Sequence, residues 1–382
     1  MRRAGRVLTG VDRVEMAYLK AFLADDVPAF GLVRTPFGYV LLDDMGLRAM
    51  CGRLSHPSKM ASPDVLSLLS RGLTRTERKA QTEVRRNAFA RALPPKLDQM
   101  LAKHLPQGTH YFNVGHSNLT DRVLQAVRGL GGVTAVMVHD VIPLDFPQYQ
   151  RVGTVEVFRE KLMRVRQFAD VVIYNSADTQ TRTEAQMAVW GDVPRSIVSH
   201  LGTEQLYPNP DFICPKTPYF VTIGTIEPRK NHAFLLDLWE ELGPAAPELH
   251  IVGSRGWNND AVFSRLDALD EHGPVRERNG LCDADMLALL QGASGFLFPS
   301  FAEGFGLPPV EAAMLGVPIL SNELGVIREI LDDIPVYASV SDRYLWLTTI
   351  KQMAGDDPKR RKFDRFSPPD WTAHFNTVLS LI

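Results

Sequence analysis

Apolar residues along this 382-residue chain fall into short continuous runs rich in valine, isoleucine and phenylalanine. Longer stretches lie between them, in which apolar positions recur at helical spacing. Short buried runs alternating with helical periods are the pattern of parallel sheets built from βα units. The runs predict strands over 29–34, 110–114, 135–138, 171–174 and 197–199 in the first half. In the second half they predict strands over 220–223, 249–252, 296–298, 318–320 and 336–337. Between the two sets lies 207–218, with prolines at 208, 210, 215 and 218. That many prolines suit neither a helix nor a central strand, and the segment reads as a linker.

A chain this long exceeds one ordinary hydrophobic core. With the proline-rich break it predicts two α/β domains, 1–204 and 219–365, joined through 205–218. Net charge is only −2, so no field of the whole molecule draws it to nucleic acid or to an anionic bilayer. Cys51, Cys214 and Cys282 are odd in number and far apart. They fit neither zinc-ligand spacing nor a disulfide framework, which leads to the expectation of a reducing cytoplasm. No apolar run approaches the roughly 20 residues that a membrane-spanning helix needs.

In open α/β sheets ligands bind beyond the carboxyl ends of the strands. Residues at those positions are polar and glycine-rich in both halves: 115–118, His139 with Asp140, Asn175 with Ser176, and 200–202, then 224–230, 253–257 and 299–306. Two such faces opposed across a cleft are the simplest geometry.

The stretch 298–322, FPSFAEGFGLPPVEAAMLGVPILSN, is the most informative. A strand ends near Phe298, a loop carries Glu303, Gly304 and Gly306, and a helix opens at Pro308 and Pro309, where proline is tolerated. The amides and dipole of a helix start suit an anion, and glycine permits close backbone approach. Glu311 follows Glu303 by eight positions. One carboxylate on the loop and one on the helix can accept from two separate hydroxyl groups of one ligand. Either glutamate alone reads equally as a helix-start acid. The combination is what points to a ligand.

Two further stretches repeat the strand–loop–helix form. In 219–239, YFVTIGTIEPRKNHAFLLDLW, Arg229 and Lys230 stand at the turn. Adjacent cations there suit a diphosphate whose charge grows as it departs, although surface cations can also be merely solvated. In 134–149, TAVMVHDVIPLDFPQY, His139 and Asp140 follow a buried strand directly. They read either as ligand contacts or as a satisfied structural histidine beside a turn-capping aspartate.

With these segments the chain resembles glycosyltransferase family 4. That family has the GT-B fold, in which two Rossmann-like domains face each other across a cleft. Its signature is two glutamates separated by seven residues inside an EGFGLP-type segment, as at Glu303 and Glu311. The resemblance implies that Glu303 holds hydroxyls of a donor sugar, while the amides of Gly304, Phe305, Gly306 and Leu307 meet sugar and diphosphate. Glu311 would bind the ribose. Arg229 and Lys230, after Gly224, would hold the diphosphate, and His139 and Asp140 would stand near the anomeric carbon. The segment 8–13, with Gly10, resembles the glycine loop ahead of the first helix, and 279–283, with Leu281, resembles the base-holding segment. The segment 253–257 resembles mannosyltransferase-like members, which implies GDP-mannose as donor. The end of the chain, 366–382, would cross back onto the first domain. One departure is that only Met1–Leu8 precede the glycine loop, where members open with a strand.

The expected reaction is therefore retaining, metal-independent transfer of a hexose to a glycan, lipid-linked or other acceptor, with no cofactor beyond the nucleotide-sugar substrate. A sugar-nucleotide epimerase of the same fold and a non-catalytic sugar-nucleotide-binding subunit remain as alternatives. The pair Asp283 and Asp285 precedes a helical run and reads as an N-cap with a first-turn acid rather than a metal site. No G-x-G-x-x-G follows a strand, since 129–132 ends a helix. The segment 71–96 carries eight basic and two acidic residues and is mostly helical in period. It is either a solvated face or a contact with anionic lipid or a phosphate-bearing acceptor.

Overall fold

In a computed structural model, residues 9–55, 60–70, 72–216, 218–355, 363 and 366–380 are described. Three sheets form among them. The first is antiparallel, in the order β1 (Gly31–Thr35), β2 (Gly38–Leu42), β3 (Ala90–Ala92). The second is parallel and runs β4 (Tyr111–Asn113), β5 (Thr134–Val138), β6 (Val171–Tyr174), β7 (Arg195–Val198). The third holds β8 (Tyr219–Ile223), β9 (Glu248–Val252), β10 (Val275–Arg278), β11 (Gly295–Phe298), β12 (Ile319–Ser321) and β13 (Val336–Tyr337). Its strands are parallel and ordered β10-β9-β8-β11-β12-β13.

The continuous apolar runs became central strands because helices cover both faces. Every residue of β5, β6, β8 and β11 is buried. One core cluster joins Val14, Met137 and Ile173 of the first half with Phe296, Phe305 and Val310 of the second. In the third sheet the chain runs outward from β8 to β10, then returns to lay β11 on the other side of β8. Strand order therefore reverses between β8 and β11, which is where an open α/β sheet leaves a crevice for a ligand.

The strand expected over 29–34 forms a little later, as β1, and belongs to the antiparallel sheet rather than the parallel set. The Gly10–Ala24 helix follows directly on its Thr9 cap, which accepts the Asp12 amide. Met1–Leu8 lie outside the described residues. Segment 207–218 contains no helix or strand among its described residues. The Trp371–Leu379 helix lies against the first half. His374 Nε2 meets the Tyr18 hydroxyl at 2.8 Å, and His374 Nδ1 meets the His200 carbonyl at 3.0 Å.

The basic segment is not one helical face. Its α-helix is Arg75–Arg86, after which the chain turns into β3 and then a single 3-10 turn at Pro94–Lys96. Arg85 is buried, paired with Asp64 and bonded to Ser67, because the Val65–Leu69 helix covers it. Asp283 is likewise not a cap. Cys282 holds that position, and both aspartates fall in the first turn.

Candidate functional site

Arg229 and Lys230 sit on the short turn after β8, and Glu303 sits on the loop after β11, so the strand-order reversal brings them together. Lys230 Nζ lies 2.6 Å from one oxygen of Glu303, and Arg229 lies 2.9 Å from the other. Arg229 also pairs with buried Glu227 at 2.6 Å and donates to the Ala302 carbonyl at 2.5 Å. Gly224, at φ +151°, lies beneath Lys230, and a Cβ there would press on the lysine chain. The first half adds Asp140, whose carboxyl feels both Arg229 and Glu303.

Burial opposes these charges, and their neighbours decide which survive. Burial alone would raise the Glu303 pKa, but Arg229 and Lys230 overcome it and hold the carboxyl down at about 2. Burial works against the Arg229 cation too, yet Glu303, Glu227 and Asp140 outweigh it and raise its pKa. Asp140 is pushed up by burial, with Arg229 pulling the other way. A buried ion network of this kind is weak evidence for stability, since desolvation offsets the attraction. Clustered shifts in a crevice are better evidence for a functional site.

A second ion pair crosses between the halves. Arg13, on the first helix, reaches Glu311 at 2.5 Å, and Asp283 lies 3.7 Å from the same guanidinium. Glu311 is buried, which raises its pKa, while Arg13 opposes the rise. Gly10 stands beside Leu307, whose Cδ1 a Cβ would meet at 3.5 Å. Leu281 and Leu307 are partly buried against the core shared by both halves. The Leu307–Met314 helix is capped by Gly306 at φ +91° and has prolines in its first turn. Those prolines lack N–H groups, so the amides free at this helix start are reduced to those of Gly306 and Leu307.

The His139 ring is held by main chain of its own half. Its Nε2 lies 2.6 Å from the Val114 carbonyl, which can only accept, so this nitrogen carries the proton. Burial lowers its pKa and keeps the ring neutral, leaving Nδ1 as the acceptor. The His139 main chain lies against Gly304, where a Cβ would overlap the His139 carbonyl. Glycine is required there because the two halves meet backbone to backbone.

Beside Asp140 and Glu303 a recess opens between the halves, lined also by Asp145, Asp178, Arg182 and Phe301. Arg182 bridges Asp145 at 3.2 Å and Asp178 at 3.0 Å. Local sequence pattern does not single out Arg13, Glu227, Asp178 or Arg182. Arg13 has its partner far along the chain, the Arg182–Asp145 bridge spans 37 positions, and the pairing of Glu227 is visible only once the turn is folded.

Residues 217–342 match the family described as glycosyl transferases group 1. The serotype-specific mannosyltransferase WbdA of Escherichia coli is 29% identical over 247 residues, 58% of this chain and 29% of WbdA. O-antigen chain mannosyltransferase B of Escherichia coli is 33% identical over 146 residues, 37% of this chain and 38% of the relative. The chain thus spans less than half the length of these curated relatives. The crystal structure of Anabaena HepE with UDP-glucose superposes with a TM-score of 0.57 at 15% identity, covering 76% of this chain and 82% of HepE.

Proposed function

Residues 217–342 being a glycosyl transferases group 1 domain in a chain of GT-B fold, we propose that the protein transfers a hexose from a nucleotide-diphosphate sugar to an acceptor hydroxyl with retention. The observation that carries this reading is the ion-pair cluster of Arg229, Lys230 and Glu303, largely shielded from solvent at the strand-order reversal. Without donor, each cation occupies one oxygen of Glu303. Donor binding exchanges partners: phosphate oxygens take the cations, and hydroxyls of the hexose fill the acceptor sites of Glu303. Ribose hydroxyls replace Arg13 at Glu311 in the same way, the amides of Gly306 and Leu307 meet the diphosphate, and the main chain around Leu281 holds the base.

The acceptor enters by the recess beside Asp140 and Glu303 and approaches from the side on which the cations hold the leaving group. Its oxygen bonds to the anomeric carbon as the bond from that carbon to the diphosphate breaks. The acceptor proton passes to the departing diphosphate. Positioned cations stabilise that charge where it develops, and no enzymic nucleophile is needed. The names of the curated relatives favour mannose as the hexose and a glycan as acceptor. The segment 253–257 favours GDP as carrier. A lipid-linked acceptor at the inner face of a membrane fits the exposed apolar residues of the Val65–Leu69 helix beside exposed Arg75 and Arg86.

Incubation with a panel of nucleotide sugars and a mannose-terminated oligosaccharide tests the reading. GDP should be released from GDP-mannose, and release should continue in excess EDTA. Release from UDP-sugars alone would change the donor and keep the mechanism. An epimerised donor, formed with no acceptor present, would replace the reaction itself.

A further inference from the structure

The loop that carries Glu303 is gripped from the first half by side chains that the chemistry above does not use. Thr179 Oγ1 donates to the Gly304 carbonyl at 3.1 Å, and Ser176 Oγ reaches the same oxygen at 3.4 Å. Both residues are buried, at 2% and 0% exposure. Ser176 already has a local task, since its oxygen caps the Ala177–Ala188 helix by accepting the Thr179 amide. Thr179 has no such task. A helical threonine commonly returns its hydroxyl to the carbonyl four residues back, as Thr181 does to Ala177. Thr179 instead sends its hydroxyl across the boundary between the halves.

The same boundary is fixed on either side of this bond. Asn175 donates to the His139 carbonyl at 3.0 Å, and that carbonyl lies against Gly304. Glu329 of the second half accepts the amides of Ala177 and Asp178 at 2.7 and 3.0 Å, holding the helix start in place. The Thr179 hydroxyl is therefore presented to Gly304 by a rigid support.

We infer that Thr179 is a positioning residue for the transfer step, its hydroxyl setting the Gly304–Phe305 peptide when the halves close. In a trans peptide the carbonyl and the amide point in opposite directions. Anchoring the Gly304 carbonyl on the helix turns the Phe305 amide away from it and fixes the orientation of the loop next to Glu303. The bond joins the two halves, so it acts on the closed, reacting complex rather than on capture of nucleotide by the second half. This inference rests on the transferase reading.

The test compares Thr179→Val, which keeps the shape and removes the hydroxyl, with Thr179→Ser, which keeps the hydroxyl; Thr179→Ala serves if valine impairs folding. Turnover of GDP-mannose, affinity for free GDP and Tm are measured for each. One lost buried hydrogen bond corresponds to about a five- to tenfold fall in kcat. We expect that fall for Thr179→Val, with GDP affinity within about twofold of wild type, and recovery of kcat in Thr179→Ser. Unchanged kcat in Thr179→Val, equal losses in the serine and valine variants, or a loss of GDP affinity matching the loss of kcat would each overturn it. Wild type that turns over no nucleotide sugar would overturn the transferase reading and this inference together. Wild-type turnover with a silent Thr179→Val overturns the inference alone.

Discussion

Glu303 and Glu311 are both carboxylates paired with cations, and the proposed reaction gives them different work. Glu303 is held by Arg229 and Lys230, the groups placed at the leaving diphosphate. In the proposed reaction its contact with the hexose tightens as the ring flattens, and interactions stronger in the transition state appear in kcat. Glu311 is held by Arg13 alone at short range, and the ribose it is assigned does not change during reaction, so its contact appears in KM. Losing a charged acceptor costs on the order of 1.5–3 kcal/mol, roughly tenfold to a hundredfold. Glu303→Gln should lower kcat by that factor and leave GDP affinity nearly unchanged. Glu311→Gln should raise donor KM and weaken GDP. Titration calorimetry with GDP separates them, and equal weakening in both variants would reverse the assignment. The Glu303 pKa is depressed to about 2, so its carboxyl stays ionised above that pH and is protonated only as pH falls through it. An acid limb in the rate near pH 5 would then belong to another group.

Among the elements, the parallel strands were legible because continuous apolar runs have no other place in an α/β fold than a sheet covered on both faces. β10 was missed because an edge strand reading Val-Arg-Glu-Arg carries no apolar run, and β3 because three residues carry no period. β2, Gly-Tyr-Val-Leu-Leu, is too short for periodicity to distinguish it from a buried helix segment. In the site, the two-glutamate spacing and the Arg-Lys pair stand in the local sequence. Arg13 and Glu311 are 298 positions apart, and Thr179 and Gly304 are 125 apart. No local pattern encodes either contact. In the basic segment, sequence shows the charges but not that Arg85 turns inward to Asp64. What faces outward is the Val65–Leu69 helix, with Val65 73%, Leu68 59% and Leu69 66% exposed. If this element meets an anionic bilayer, the protein should float with anionic liposomes at low salt and be released as salt screens the arginines. Replacing Leu68 and Leu69 by serine should then abolish flotation while leaving GDP-mannose turnover intact. Flotation unaffected by those changes would remove the element from the contact.

At the scale of the whole molecule the proposed reaction draws on groups from both halves, so it requires them to be together. Trp257 donates to the Tyr149 carbonyl at 3.0 Å and Asn258 to that of Gln150 at 2.8 Å, on loops 108 positions apart. His200 meets Glu329 at 2.8 Å, and Arg13 meets Glu311 at 2.5 Å. These contacts bring His139 and Asp140 of one half against Arg229, Lys230 and Glu303 of the other, with the recess opening onto the same two carboxylates. In the proposed reaction acceptor and leaving group then share one face of the sugar, so configuration at the anomeric carbon is kept. The measurement that tests this most directly is the anomeric configuration of the product, read by NMR after transfer from α-configured GDP-mannose to a mannose-terminated oligosaccharide. The account predicts an α-linked product. A β-linked product would require attack from the opposite face and would contradict the shared-face geometry.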